Sequence, residues 1–129
     1  MHWVDTNVLV RFLTHDDPAQ TARAITVMKH RNVRIAKTVA LELAWVLRSA
    51  YDFPPAAIIE AIERLGGMHN VSFEDPRAIV LAVALMKTGV EIEDALHLAA
   101  CAEAEGEFVT FDAKLAKRGT QSGMKITLA

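Results

Sequence analysis

The chain is poor in the residues that build several classes of protein. It has one cysteine in 129 residues, which excludes an internal disulfide. That cysteine, Cys101, sits in the apolar run Leu98-Ala99-Ala100-Cys101-Ala102 and reads as a buried, inert thiol rather than a nucleophile. No Cys or His pair stands at zinc-ligand spacing. Apolar runs stay well short of the roughly 20 residues that span a bilayer. The opening Met1-His2-Trp3-Val4-Asp5 has no charged and then apolar leader, so the expectation is a cytoplasmic protein with no membrane partner. There is no internal repeat or low-complexity tract.

What is present is an evenly spread 52% of apolar residues, which fits a helix-rich globular chain and one domain over residues 1–129. Net charge is −2, a weak argument against a nucleic-acid partner. Setting aside Asp5, Glu42, Asp94 and Asp112 leaves 12 acids against 14 Lys plus Arg, so the remainder is mildly basic and a polyanionic substrate is admissible once cations neutralise those four.

Short β-prone segments alternate with longer helical ones. Strands are expected at Trp3-Val4, Val33–Ala36, Asn70–Phe73, Phe108–Phe111 and Lys125–Leu128. Helices are expected from about Asn7 to Thr14, after Pro18, from Val39 to about Tyr51 with Thr38 as cap, and from Pro54-Pro55 to near Gly66-Gly67. Others run from Glu74-Asp75-Pro76 to Gly89, from Glu93 to Glu105, and from Asp112 to near Gly119. Strands joined through helices are parallel, so the predicted fold is a three-layer α/β/α sandwich around one mainly parallel sheet of about five strands. Ligands bind such sheets at the carboxyl ends of the strands, where Asp5 and Asp112 stand.

Each of the four acids also has an ordinary structural reading. Asp5 and Asp112 are plausible helix caps, and Asp94 is a first-turn acid favoured by the helix dipole. Glu42 has Val39, Trp45 and Val46 at helical spacing, an apolar stripe that would bury it and require a partner, either an arginine or a shared site. Together they suggest convergence. Four carboxylates repel, so a cluster needs a hard divalent cation, Mg2+ or Mn2+.

Asp5-Thr6-Asn7 after an N-terminal strand, Glu42 in a long helix, Gly89 followed by Glu93-Asp94-Ala95-Leu96-His97-Leu98-Ala99, and Thr110-Phe111-Asp112 together resemble the PIN domain, and closely its VapC toxins. The ordered set spans essentially the whole chain. The resemblance implies a metal-dependent endoribonuclease, a homodimer, and a cognate antitoxin whose tail blocks the acidic site. It implies that Asp5, Glu42, Asp94 and Asp112 hold one or two ions and carry catalysis, leaving a 5′-phosphate and a 3′-hydroxyl. Asp5, Asp94 and Asp112 are the expected direct ligands; Glu42 either ligates or orients the attacking water.

Thr6, Asn7 and Thr110 are placed to fix carboxylate rotamers, or else make ordinary turn and capping bonds. Lys37, Lys114, Lys117 and Arg118 lie near the expected active face and either contact RNA phosphates or form a solvated basic surface. His97, in an apolar helix, reads as a packing residue, and Glu91 and Glu93 as solvent-facing acids. Trp45, Leu47, Ile58, Ile59 and Ile62 suggest a dimer or antitoxin surface, with core packing as the other account. Two further functions compete. A phosphatase of the haloacid-dehalogenase type would use Asp5 as nucleophile, but Asn7 stands where that family has a second Asp. A catalytically silent PIN-like binding module would not need the four acids.

Overall fold

The computed structural model describes residues 1–129. It divides into two compact units, Met1–Asp75 and Pro76–Ala129.

The first unit runs β1 (His2–Trp3), α1 (Thr6–Thr14), α2 (Pro18–His30), β2 (Val33–Ile35), α3 (Lys37–Tyr51), α4 (Pro55–Gly66), β3 (Val71–Phe73). Its strands form a parallel sheet in the order β1-β2-β3, with Val33 opposite Val71 and His2 opposite Val33. Arg34 ties all three strands together. Its guanidinium lies 5.7 Å from the Trp3 ring centroid and its Nε donates to Ser72 Oγ at 2.8 Å. Asp17 caps α2 by accepting from Gln20 N, with Pro18 as the first helical residue. Asn70 Nδ2 donates to Met28 O and Arg31 O, both at 2.7 Å, so a side chain just ahead of β3 satisfies carbonyls at the end of α2.

The α3 helix begins at Lys37, not Val39, and Thr38 does not cap it. Its N-cap position is Ala36, which has no capping side chain, and the Glu74 carboxylate accepts from Lys37 N at 3.0 Å instead. The buried arc of α3 is Ala40, Leu43, Ala44 and Leu47. Glu42 is exposed and Val39 and Val46 are half-buried, so Glu42 does not interrupt a buried stripe. Of the five residues proposed as interface, Leu47, Ile58 and Ile62 are core and Ile59 is half-buried. Trp45 is 54% exposed.

At the end of α1, Asp16 gathers three donors. It accepts from the Tyr51 hydroxyl, from Thr14 Oγ1 at 3.0 Å and from Arg11 Nη1 at 3.2 Å. These hold its carboxyl below the ordinary aspartate value, the Tyr51 hydroxyl most of all, against a smaller desolvation effect that opposes them.

The second unit runs α5 (Pro76–Lys87), α6 (Ile92–Glu103), β4 (Phe108–Thr110), α7 (Ala113–Gln121), β5 (Ile126–Leu128). The two long helices pack on each other, joined through Gly89 at φ +98°, a left-handed conformation suited to glycine. β4 and β5 form a two-stranded parallel sheet with Phe108 opposite Ile126. Helix α7 packs on it through the buried Gly119, where a Cβ would stand 2.0 Å from Ile126 Cδ1. His97 is exposed, which overturns its reading as a packing residue.

The five expected strands and their parallel direction are present, but as a three-stranded and a two-stranded sheet, not one of five. Each strand is two or three residues long. The β1 ladder runs along one edge to β2 and the β4 ladder along one edge to β5. Residue patterning reports the strands; lateral pairing is a tertiary property that it does not encode.

Candidate active site

Each unit places one acid just beyond a parallel strand and a second on a helix. In the first unit, Val4 is buried at the end of β1 and the chain turns at once into α1. Asp5, exposed and extended at φ −87° and ψ 172°, is the N-cap, its Oδ1 accepting from Val8 N at 3.3 Å. One Asp5 oxygen therefore has a helix-capping role while the other is uncommitted. Thr6 follows, 5% exposed, and its hydroxyl donates to Glu42 Oε1. Such a bond orients a carboxylate that is otherwise free to rotate in water. Asn7 is exposed beside Asp5, and both line a cleft that includes Arg11 and Arg23.

In the second unit, β4 ends at Thr110 and the chain turns into α7 through Asp112. Asp112 Oδ1 accepts from Leu115 N at 3.1 Å, and Asp112 N donates to Thr110 Oγ1 at 3.0 Å. The Thr110 hydroxyl thus fixes the backbone of Asp112 rather than its carboxylate. Asp94, half-buried in the first turn of α6, lines the same open cleft of about 320 Å³ as Asp112, together with Glu91. Glu91 is exposed, while Glu93 is half-buried.

The basic residues divide by their partners. Lys37 Nζ pairs with Asp75 Oδ2 at 3.3 Å, so its charge is already matched. Lys114 is exposed on the wall of the Asp94–Asp112 cleft. Arg118 lies on that wall too, with Nη1 donating to Thr88 O at 3.2 Å. A Cβ on Gly89 would stand 2.2 Å from that same Nη1, so the guanidinium is seated where only glycine leaves room. Lys117 is exposed on α7.

Within neither unit do three or more His, Cys, Asp or Glu side chains gather closely enough to hold a metal ion. The first unit contributes Asp5 and Glu42, the second Asp94 and Asp112. All four side chains are carboxylates, a chemistry that suits Mg2+ or Mn2+ and not a thiolate- or imidazole-selecting metal. Sequence reasoning did not single out Arg11 and Arg23, which share a cleft with Asp5. No local pattern links them, since Arg11 is on α1 and Arg23 on α2 and only the packing of those helices brings them to one cleft.

No helix is long and apolar enough to cross a membrane. No curated protein matches the chain at a significant level. The sequence model of the PIN domain matches residues 3–120, which takes in both units and all four acids.

Proposed function

The chain belongs to the PIN domain family, and from that premise we propose that it is a metal-dependent endoribonuclease, the toxin of a VapC-type toxin–antitoxin pair. The observation that carries the reading is the repeated pairing of acids. Asp5 stands beyond β1 with Glu42 linked to the next residue through Thr6, and Asp112 stands beyond β4 with Asp94 on a shared cleft. Carboxyl ends of parallel strands are where α/β folds bind ligands.

In this reading Asp5, Asp94, Asp112 and Glu42 together hold one or two Mg2+ or Mn2+ ions. A bound ion of this kind lowers the pKa of a water and offsets charge on a phosphate. Asp5 and Asp112 present their uncommitted carboxylate oxygens from capped, rigid helix starts. Glu42, oriented by Thr6, would either ligate directly or orient the attacking water. Lys114 and Arg118, beside Asp94 and Asp112, contact phosphates and position RNA without reading its sequence. Lys37 contributes less, because Asp75 already pairs it, and Lys117, exposed on α7, is a further candidate for phosphate contact. The assembly proposed is a homodimer, with Trp45 as the exposed aromatic available to it or to an antitoxin.

The reading is tested by incubating the full chain with single-stranded RNA and Mn2+, with and without chelator, and identifying the ends produced. Chelator-sensitive cleavage leaving a 5′-phosphate and 3′-hydroxyl is expected. Cleavage leaving a 2′,3′-cyclic phosphate, or cleavage indifferent to chelator, would contradict it. The antitoxin part is tested separately by co-expression with the product of any small reading frame directly upstream.

A further inference from the structure

The cleft between α1 and α2 is built unlike the acid-lined one. Asp5 stands on its wall, Val8, Ala24 and Val27 supply apolar lining, and two guanidinium groups complete it. The two arginines are not equivalent. Arg11 is spent internally: its Nη1 pairs with Asp16 at 3.2 Å and donates to the Tyr51 hydroxyl at 3.2 Å, and its Nε donates to Gln20 Oε1 at 2.7 Å. Arg23 is exposed on α2 and has no hydrogen bond or ion pair with the protein. Gln20, its carbonyl oxygen taken by Arg11, keeps its amide nitrogen as a donor.

From this arrangement we infer that the α1–α2 cleft is a subsite for one nucleotide of single-stranded RNA next to the bond cleaved at Asp5, with Arg23 as its phosphate contact. The subsite's place next to a cleaved bond rests on the ribonuclease reading; the cleft's affinity for RNA stands on its own lining. A volume of about 280 Å³ lies at the lower end of small-ligand pockets, roughly 300 to 1,000 Å³, and so suits one splayed nucleotide rather than a duplex or a partner helix. No aromatic side chain lines it, so a base would rest on the apolar floor and stack on a guanidinium plane. An unpaired guanidinium beside a carboxylate has a fork free for a phosphate, which the neutralised Arg11 does not offer. Asn7 and the Gln20 amide stand at the rim as groups able to meet a base edge.

The test measures binding and cleavage in parallel on the full chain. A fluorescent single-stranded oligoribonucleotide is titrated in chelator, over a salt series, with wild type, Arg23→Ala, Arg23→Lys and, as a control at an exposed arginine of α4, Arg64→Ala. Arg23→Ala is expected to weaken binding about tenfold. It should also flatten the salt dependence by about 0.7, the loss of one single-strand phosphate contact. Arg23→Lys should keep the salt slope and recover part of the affinity. Arg64→Ala should match wild type. With Mn2+ present, Arg23→Ala should raise KM and leave kcat unchanged. Equal affinity and salt slope for wild type and Arg23→Ala would overturn the subsite, as would no RNA binding by wild type. An Arg23-dependent affinity for an oligo-aspartate peptide, with RNA binding unaffected, would overturn it in favour of protein recognition. Arg23-dependent RNA binding without any cleavage would leave the subsite standing and sink the nuclease reading alone.

Discussion

Thr6 and Glu42, 36 positions apart, are joined by a hydrogen bond from the threonine hydroxyl to the glutamate carboxylate. Thr6 is buried and Glu42 exposed, so the bond fastens a solvent-facing acid on α3 to the rigid start of α1. A hydrogen bond to a charged group is worth about 1.5 to 3 kcal/mol, and exposure of the acceptor places this one at or below the lower end. A double-mutant cycle on Thr6→Val and Glu42→Ala should give a coupling of about 1 kcal/mol in urea unfolding. Additive effects would mean that the bond does not contribute in solution.

Asp5 has two separable roles, and two substitutions distinguish them. Asp5→Ala removes the cap on α1 and should cost about 0.5 to 2 kcal/mol, whereas Asp5→Asn keeps a capping oxygen and should cost little. Both should diminish the thermal stabilisation by Mn2+, which for wild type at about 100 times the dissociation constant adds roughly 2.7 kcal/mol. If Asp5→Asn shows the wild-type shift with Mn2+, Asp5 is a cap and not a ligand. Thermal denaturation with chelator and with excess Mn2+ gives both readings from one pair of proteins.

The Asp16 cluster predicts a pH dependence of known sign. Its folded pKa lies below the unfolded value, so the folded state favours the ionised carboxylate. That contribution is present above the unfolded pKa near 3.9 and is lost as pH falls through the lower folded value. Asp16→Ala should therefore lower the melting temperature at neutral pH, and the gap to wild type should close in the acid range. Tyr51→Phe, which removes the largest cause of the shift, should do the same in smaller degree. A gap that is constant with pH would contradict the account.

Gly89 is held in place by backbone and neighbour together. Gly89→Ala forces an L-residue to φ +98° and brings its Cβ against Arg118 Nη1. The backbone term alone is about 1 to 2 kcal/mol. Adding Arg118→Ala should relieve the contact but leave that strain, so the double variant should recover only part of the loss. Full recovery would show that the conformation itself is unstrained.

Much of the first-order structure was legible because it is written locally. Asp17-Pro18 and Asp112 mark helix starts through capping that needs only the next three residues, and short β-branched segments mark strands. What was missed is non-local. The cap of α3 comes from Glu74, 37 positions from the amide it accepts. Glu42 was placed on the wrong side of its helix because the large side chains Trp45 and Val46 read as the core-facing stripe, while Ala40 and Ala44 form the close-packed face with Leu43 and Leu47. His97 was misjudged because neighbouring alanines make α6 look apolar on all sides, whereas His97 and Ala100 are both exposed. Strand pairing, and with it the division into two sheets, lies beyond any single-segment pattern. The four acids were singled out through the order in which their motifs occur, and the family match over residues 3–120 includes all four positions.

Asp94 gives the most direct test of the proposed chemistry, because it shares a cleft with Asp112 and has no capping bond to lose. Asp94→Asn changes charge with almost no change of shape, so folding should be preserved by circular dichroism. With single-stranded RNA and Mn2+, the wild-type chain is predicted to cleave and the Asp94→Asn chain to cleave orders of magnitude more slowly, each in a preparation free of contaminating nuclease. Undiminished cleavage by a folded Asp94→Asn protein would contradict the account.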